Sequence, residues 1–412
     1  QDSFTLLVGN NGSGKSTVLD GLAVGLASFF LGMNGASSGS IHPNDVRVES
    51  FALGSRIERQ AQYPSRIECK GTVYGQALKW ARALNTEEGK TTYGESKALS
   101  SLSEKMAQKV RHGDSSVLLP ILAYYDTGRL WAKKREKREN AKVNLDSRFA
   151  GYADCFDSMS NEKLLYKWLE QMTYQELQEQ KAVPELEAVK RALVSCFVHS
   201  GNPEFKSSTA QCSYNVKTHE IEFVYQTSDG KSEVHPLNEM SDGYRNMLSM
   251  VADIAYRMAL LNPQLLDKVT DETEGIVLID EIDLHLHPAW QRHIVKALKS
   301  IFPKVQFIAS THAPSVIASV QQNEVIVLKN HSAAPASTLT YGKDANTIMQ
   351  TIMEVPERQE SVKIEISDFY EALGNNAIEQ ARQCLQSITK ILGEDDPEVV
   401  GAETALALET ME

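Results

Sequence analysis

No run of about 18 apolar residues passes through the 412-residue chain, so no membrane span is expected. The most apolar helix candidate, which starts near Lys15, is interrupted by Asp20 and by glycines. No cleavable basic-then-apolar leader is expected either. Gln1 already lies inside what reads as an incoming strand, so residues ahead of it are expected. There are only five cysteines, Cys69, Cys155, Cys196, Cys212 and Cys384, an odd count without CxxC spacing. This disfavours a disulfide framework and a structural zinc site, and it suits a reducing cytoplasm. No internal repeat is found, and the helical stretches are too short for a long coiled coil.

What charge there is lies unevenly. The net charge is −12, and residues 344–412 hold 15 acidic against 4 basic side chains. Leu373, Ile378, Ala381, Leu385, Ile388 and Leu392 recur within that acidic segment at spacing that predicts helix. It reads either as a solvated helical cap or as a partner surface. Residues 129–148 are the one basic stretch, with 8 basic and 3 acidic side chains. Such runs are usually solvated faces, and the alternative is phosphate contact with a nucleic acid, which salt would weaken steeply.

Along the chain, Phe4 to Val8 is an apolar strand that runs into a glycine loop, and Val18, Leu19, Leu22, Ala23, Leu26, Phe29 and Phe30 follow at helical spacing. Residues 46–115 mix short strand-like and helix-like pieces without a clear pattern. An apolar stretch at residues 117–125 predicts a buried strand, and helices are expected over 161–182 and 185–199, divided near Pro184. Ile221, Phe223 and Tyr225 alternate before Asp229-Gly230, which predicts a hairpin. A helix over 243–261 follows. Residues 276–279 and 305–308 suit buried parallel strands. Between these, one helix opened by Pro288 is expected to turn Trp290, Ile294, Ala297, Leu298 and Ile301 inward.

The chemistry starts at Gly9-Asn10-Asn11-Gly12-Ser13-Gly14-Lys15-Ser16-Thr17, which satisfies GxxxxGK[ST] between a strand and a helix. Glycines let backbone N–H groups approach phosphate oxygens, and the helix N-terminus adds its dipole. Lys15 is expected on the β- and γ-phosphates of ATP and Ser16 on Mg²⁺. IVLIDEID, residues 276–283, presents Asp280 as the second magnesium ligand and Glu281 to polarise the attacking water. In MSDGYR, residues 240–245, Ser241 and Gly243 open a helix whose N-terminus can meet phosphate; taken alone, the hexapeptide is an ordinary cap. Its place changes that reading, because Ser241 lies 39 residues before Asp280 and His312 lies 32 after it, at the end of a strand. His285 and His287 have no third ligand nearby and read as packing or capping residues.

In this order the motifs resemble the ABC-type ATPases that include the SMC, RecF and OLD-like proteins. The resemblance implies an α/β fold: an ABC-type P-loop ATPase head with a largely helical inserted lobe and a helical acidic C-terminal segment. It implies that MSDGYR stands in place of LSGGQ, Asp283 in the D-loop, and His312 as the switch histidine of STHAP. Two subunits then face head to tail, Ser241 of one touching the γ-phosphate held by Lys15 of the other. LLPILAYYDTGRLW fills the glutamine-loop slot without a glutamine; Asp126 could substitute, although Asp126 and Arg129 read equally as a turn and a surface charge. The domains follow as 1–50 and 216–342 for the ATPase core, 51–215 for a mainly helical inserted lobe, and 343–412 for the acidic segment.

YYDTGRLW, SRFAGYADCFDSMSNEKLLYKW, LIDEIDLHLHPAWQ and the ending TYGKDANTIM…LGEDDPEVV are similar to the PtuA-type ATPases of Septu and retron-associated antiphage systems. That resemblance implies a partner HNH nuclease, PtuB; the ABC-type resemblance implies a homodimer through an ATP sandwich, with a higher homo-oligomer as an extension, and no membrane partner is expected. A retron system would add a reverse transcriptase and its msDNA, and phage DNA is a further nucleic-acid candidate. The chain has neither an HNH pattern nor a DxD-ended strand of its own, so the output is expected in a partner. The competing reading is a RecF/SMC-like DNA-binding repair clamp. A transporter motor is disfavoured by the missing LSGGQ.

Overall fold

The computed structural model describes residues 3–33, 39–130, 144–156, 162–199, 209–226, 230–330, 332–356 and 358–410. Two compact units divide the chain, Gln1–Asp344 and Ala345–Glu412.

The central sheet of the first unit is built on short, largely apolar strands that are mostly buried. β1 (Phe4–Val8) leads through the glycine loop into α1 (Lys15–Leu26). Two hairpins follow, β2 (Val48–Leu53) with β3 (Arg56–Ala61), and β4 (Ser65–Val73) with β5 (Gln76–Leu84), and then α2 (Lys97–Arg111) and β6 (Ile121–Tyr125). The helices α3 (Glu162–Glu179) and α4 (Pro184–Val198) precede an antiparallel sheet of β7 (Gln211–Asn215), β8 (Glu220–Gln226) and β9 (Ser232–Pro236). Next come α5 (Asp242–Leu261), α6 (Val269–Glu272), β10 (Gly275–Ile279), α7 (Pro288–Gln291), α8 (Ile294–Ile301) and β11 (Val305–Thr311). α9 (Pro314–Ile317), β12 (Val325–Lys329) and β13 (Ser332–Pro335) close the unit.

Six strands form the core sheet in the order β13-β12-β1-β11-β10-β6. All its pairs are parallel except β12 with β13. Val8 stands opposite Thr311, and Ile279 opposite both Ala309 and Tyr125. The residues that follow β1, β6, β10 and β11 therefore leave the sheet at one carboxyl edge, where open α/β sheets bind ligands. Leu7, Leu19, Ala23, Tyr124, Leu278 and Leu328 pack together beneath that edge.

Several expectations need correction. The segment 51–215, expected to be mainly helical, holds β3, β4 and β5 in its first part, and β6 within it belongs to the core sheet. The single helix expected after Pro288 is two, α7 and α8, with Arg292 and His293 between them. All five of its predicted inward residues are nonetheless buried. Lys15–Gly32 does have the length and a mean hydropathy of 1.2 that a span would need, contrary to the sequence reading. Here it is the P-loop helix with its following turn, and Leu19, Ala23, Phe29 and Phe30 are core residues. The hairpin turn at Asp229 lies outside the described residues.

The second unit is helical: α10 (Ala345–Thr351), α11 (Glu360–Gly374), α12 (Ile378–Leu392) and α13 (Pro397–Glu409). Phe369, Ala372, Ala381, Ile388, Val399, Ala402 and Leu406 form its core, with Leu373, Ile378, Leu385 and Leu392 packed against them. The aliphatic spacing seen in the sequence thus spans two helices. Asp396 caps α13 by accepting the Glu398 N–H at 2.9 Å, and Arg358 holds the same carboxylate at 2.8 and 3.2 Å. These bonds draw the Asp396 carboxyl below its usual range, with the Arg358 contact the largest cause.

Candidate functional site

The loop between β1 and α1 is shaped by what its glycines lack. A Cβ on Gly9 would sit 2.4 Å from the Leu328 carbonyl oxygen and 2.6 Å from Ser13 Oγ, so the chain can pass β12 here only as glycine. Gly12 and Gly14 take left-handed φ of 77° and 95°, which glycine adopts without cost. The Ser13 N–H closes a turn on the Asn10 carbonyl at 3.1 Å. Asn10, Asn11 and Gly12 are exposed, as are Ser16 and Thr17 on the first turn of α1. The Ser13 hydroxyl, in contrast, is buried and has no hydrogen-bond partner among the described residues. Lys15 is 6% exposed, and its Nζ donates to the carbonyls of Gly9 at 2.9 Å and Asn10 at 3.1 Å. Burial lowers its pKa, while Asp280, Glu281 and Asp283 pull it back up.

The acidic side of the site comes from the ends of β10 and β11. Asp280 is buried, its N–H donates to the Tyr125 carbonyl at 2.8 Å, and its carboxylate accepts the Ser310 hydroxyl. Glu281 has a left-handed φ of 48°, and its N–H donates to Ser310 Oγ at 2.8 Å. The Thr311 hydroxyl donates to Asp283 at 2.5 Å and accepts the Ala313 N–H at 3.0 Å. Ser310 and Thr311 therefore fix three of the four residues 280–283 by hydroxyl contact. Sequence reasoning missed them, although their signal was present: two hydroxyl residues directly before His312. The imidazole of His312 has a lowered pKa, chiefly from burial and next from the Lys15 ammonium, against the raising pull of Asp283, Glu281 and Asp280. It is neutral at pH 7, and because the unfolded chain takes the proton first, acidification through the ordinary value of 6.5 works against the folded state.

The predicted site residues thus fall into two places. Lys15, Asp280, Glu281, Asp283 and His312 share one electrostatic neighbourhood. Ser241 and Gly243 stand on a helix tip. Ser241 holds the N-cap position of α5 with φ −61° and ψ 156°, yet its hydroxyl makes no capping bond and the residue is exposed. Gly243 is buried, and a Cβ there would lie 2.5 Å from the carbonyl oxygen of His285. That carbonyl follows a left-handed φ of 62°, and His287 caps α7 by accepting the Ala289 N–H at 3.3 Å, so these two histidines shape the turn against which α5 packs. Asp126 caps its own turn by accepting the Gly128 N–H at 2.7 Å. The side chain of Arg129 and residues 131–143, with most of the basic stretch, lie outside the described residues.

The crowding at Gly243 makes a prediction. Gly243→Ala adds helix propensity to an early turn of α5, worth up to about 1 kcal/mol. The clash with His285 outweighs it at about 1–3 kcal/mol. The variant is expected to melt several degrees lower and to hydrolyse ATP more slowly than the parent, as followed by thermal unfolding and phosphate release. A higher melting temperature would refute the packing.

A glycine loop with a buried lysine, a buried aspartate beside an acidic residue, and a histidine just past the end of the adjacent strand, all at one carboxyl edge of the core sheet, define a P-loop ATPase. Residues 108–318 match the family described as "AAA domain, putative AbiEii toxin, Type IV TA system", and the chain belongs to that family. Residues 1–197 also match the family described as "AAA domain". The chain is 26% identical over 454 residues to "Retron Ec83 probable ATPase" of Escherichia coli, covering 96% of this chain and 80% of that one. It is 27% identical over 404 residues to "Retron Vc95 probable ATPase" of Vibrio cholerae serotype O1 biovar El Tor, with 87% and 75% covered. A shorter stretch of 109 residues is 42% identical to "Septu protein PtuA" of Bacillus mycoides, covering 26% and 14%. The resemblance to retron and Septu PtuA-type ATPases read from the sequence is borne out by these relatives. The SMC head domain from Thermotoga maritima is similar at 14% identity and a TM-score of 0.39, with 81% of this chain and 90% of that one covered.

Proposed function

We propose that this chain is the ATP-binding and ATP-hydrolysing regulatory subunit of a bacterial antiphage defence complex in the cytoplasm, and that its nucleotide-dependent pairing controls a partner HNH nuclease. The observation that carries the reading is Ser241, an exposed hydroxyl at a helix tip that its own helix does not use. A helix N-terminus with a free hydroxyl suits a phosphate oxygen, and a second copy's P-loop supplies one.

The loop residues fit ATP and Mg²⁺. The Ser13 hydroxyl, without a hydrogen-bond partner among the described residues, the left-handed glycines and the Lys15 ammonium form a cradle of donors for phosphate oxygens. Ser16 and Asp280 supply the oxygen ligands that a magnesium ion takes, and the ion would neutralise charge on the phosphates. Lys15 exchanges its two carbonyl contacts for phosphate oxygens. Glu281 accepts a proton from the attacking water, and the neutral imidazole of His312 donates a hydrogen bond towards the γ-phosphate. The hydroxyls of Ser310 and Thr311 keep the carboxylates of Asp280 and Asp283 oriented throughout.

Co-expression with a PtuB-like HNH nuclease tests this function. The expected result is a complex recovered from cell extract whose DNA cleavage changes when ATP is added. A chain that recruits no nuclease, yet binds duplex DNA by itself in an ATP-dependent and salt-sensitive way, would favour the repair-clamp reading instead.

A further inference from the structure

The helix that presents Ser241 also carries a charge pair that water does not reach. Asp253 and Arg257, one turn apart on α5, are each 4% exposed. Arg257 Nε donates to Asp253 Oδ2 at 2.7 Å. A buried pair of this kind adds little net stability, because lost hydration offsets most of the attraction. What it joins is more informative.

Asp253 Oδ2 also accepts the Tyr125 hydroxyl at 2.7 Å, and Arg257 Nη1 donates to the carbonyls of Gly151 at 3.1 Å and Ala153 at 2.8 Å. Tyr125 is the last residue of β6 and directly precedes Asp126. Its own carbonyl accepts the N–H of Asp280 at 2.8 Å. One residue is thus bonded through its ring to α5 and through its backbone to the aspartate at the end of β10. Asp253 lies about 18 Å along the helix from Ser241, at 1.5 Å per residue. From Met247 to Leu261 almost every residue of α5 is buried, so the helix is held to move as a rod.

We propose that Tyr125, Asp253 and Arg257 are positioning residues that tie the tip of α5 to Asp280 within one chain. Docking of Ser241 on a second copy's nucleotide is then registered at the Asp280 carboxylate of the chain that donated the serine. This rests on the reading above that Ser241 acts across a dimer. Each site would thereby be set by its partner's occupancy, which makes hydrolysis at the two sites interdependent.

The test is Tyr125→Phe in the full chain, alone and combined with Ser241→Ala. The substitution keeps the ring and leaves Arg257 paired with Asp253, so the buried charges stay matched. The expected result is a kcat for ATP about tenfold lower with KM within about twofold of the parent, inside the range that couplings between sites commonly reach. In the Ser241→Ala background the same change is expected to cost nothing further. A kcat within twofold of the parent overturns the proposal, as do losses that multiply in the double variant, since Tyr125 would then act locally. Should Ser241→Ala alone leave kcat unchanged, the dimer reading itself fails, and the Tyr125 link falls with it. If Tyr125→Phe does not fold, Asp253→Leu with Arg257→Met removes both charges together, an exchange that cores commonly tolerate. The same kcat loss, again absent in the Ser241→Ala background, is expected there, and parent-like turnover would overturn the proposal.

Discussion

Lys15→Ala is expected to lower kcat/KM for ATP by about 10³-fold or more, with the protein still folded. Removal of one well-placed donor to developing charge commonly costs about 10²–10³; Lys15 is proposed as that donor, and its ammonium interacts with the carboxylates of Asp280, Glu281 and Asp283. The variant has a second readout that needs no nucleotide. The Lys15 ammonium is one cause of the lowered pKa of His312, so the imidazole is expected to titrate at higher pH once that charge is gone. Proton NMR of the histidine ring follows this directly. An unchanged titration would mean that the two groups do not share the site, and unchanged turnover would remove the loop from catalysis altogether.

Glu281→Gln is expected to separate binding from chemistry. Glutamine keeps the length and shape of the side chain and can hold the left-handed backbone that Glu281 has, but it accepts no proton from water. A positioned base contributes typically about 10²–10⁴-fold, so the hydrolysis rate is expected to fall by that order while ATP affinity is retained. If ATP joins two copies, the variant also accumulates as a dimer in its presence, which light scattering after gel filtration detects. Parent-like turnover would show that another group takes the proton.

The sequence exposed the parts of this site that geometry leaves no freedom to vary. Gly9 passes too close to Leu328 and Ser13 for any side chain, and Gly12 and Gly14 sit where other residues are strained, so the P-loop announces itself as a string. The apolar runs at β10 and β11 were equally plain, because strands buried on both faces have no polar alternation to confuse. The paired hydroxyls were not, since the acidic residues that Ser310 and Thr311 hold, Asp280 and Asp283, lie about thirty residues away in sequence. The break between α7 and α8 left no trace, because the inward residues Trp290, Ile294, Ala297, Leu298 and Ile301 keep one face across it. The hairpins in residues 48–84 were illegible for another reason. β4 alternates between half-buried and exposed positions, and every residue of β3 is exposed, so burial wrote only a weak pattern into one and none into the other.

That exposed ribbon has a consequence for how the protein behaves when concentrated. Among the described residues β2 and β3 pair only with each other, and Ile57 is 75% exposed with Val48, Phe51 and Leu53 also open to water. Two rows of backbone donors and acceptors are offered to any neighbour, which is the template for edge-to-edge association. Arg56, Glu58 and Arg59 interrupt the apolar positions of β3 and act as gatekeepers, because stacking a second ribbon would strip their charges of solvent. Replacing these three side chains by apolar ones is therefore expected to promote self-association of the protein at high concentration, through a ribbon that holds none of its nucleotide motifs.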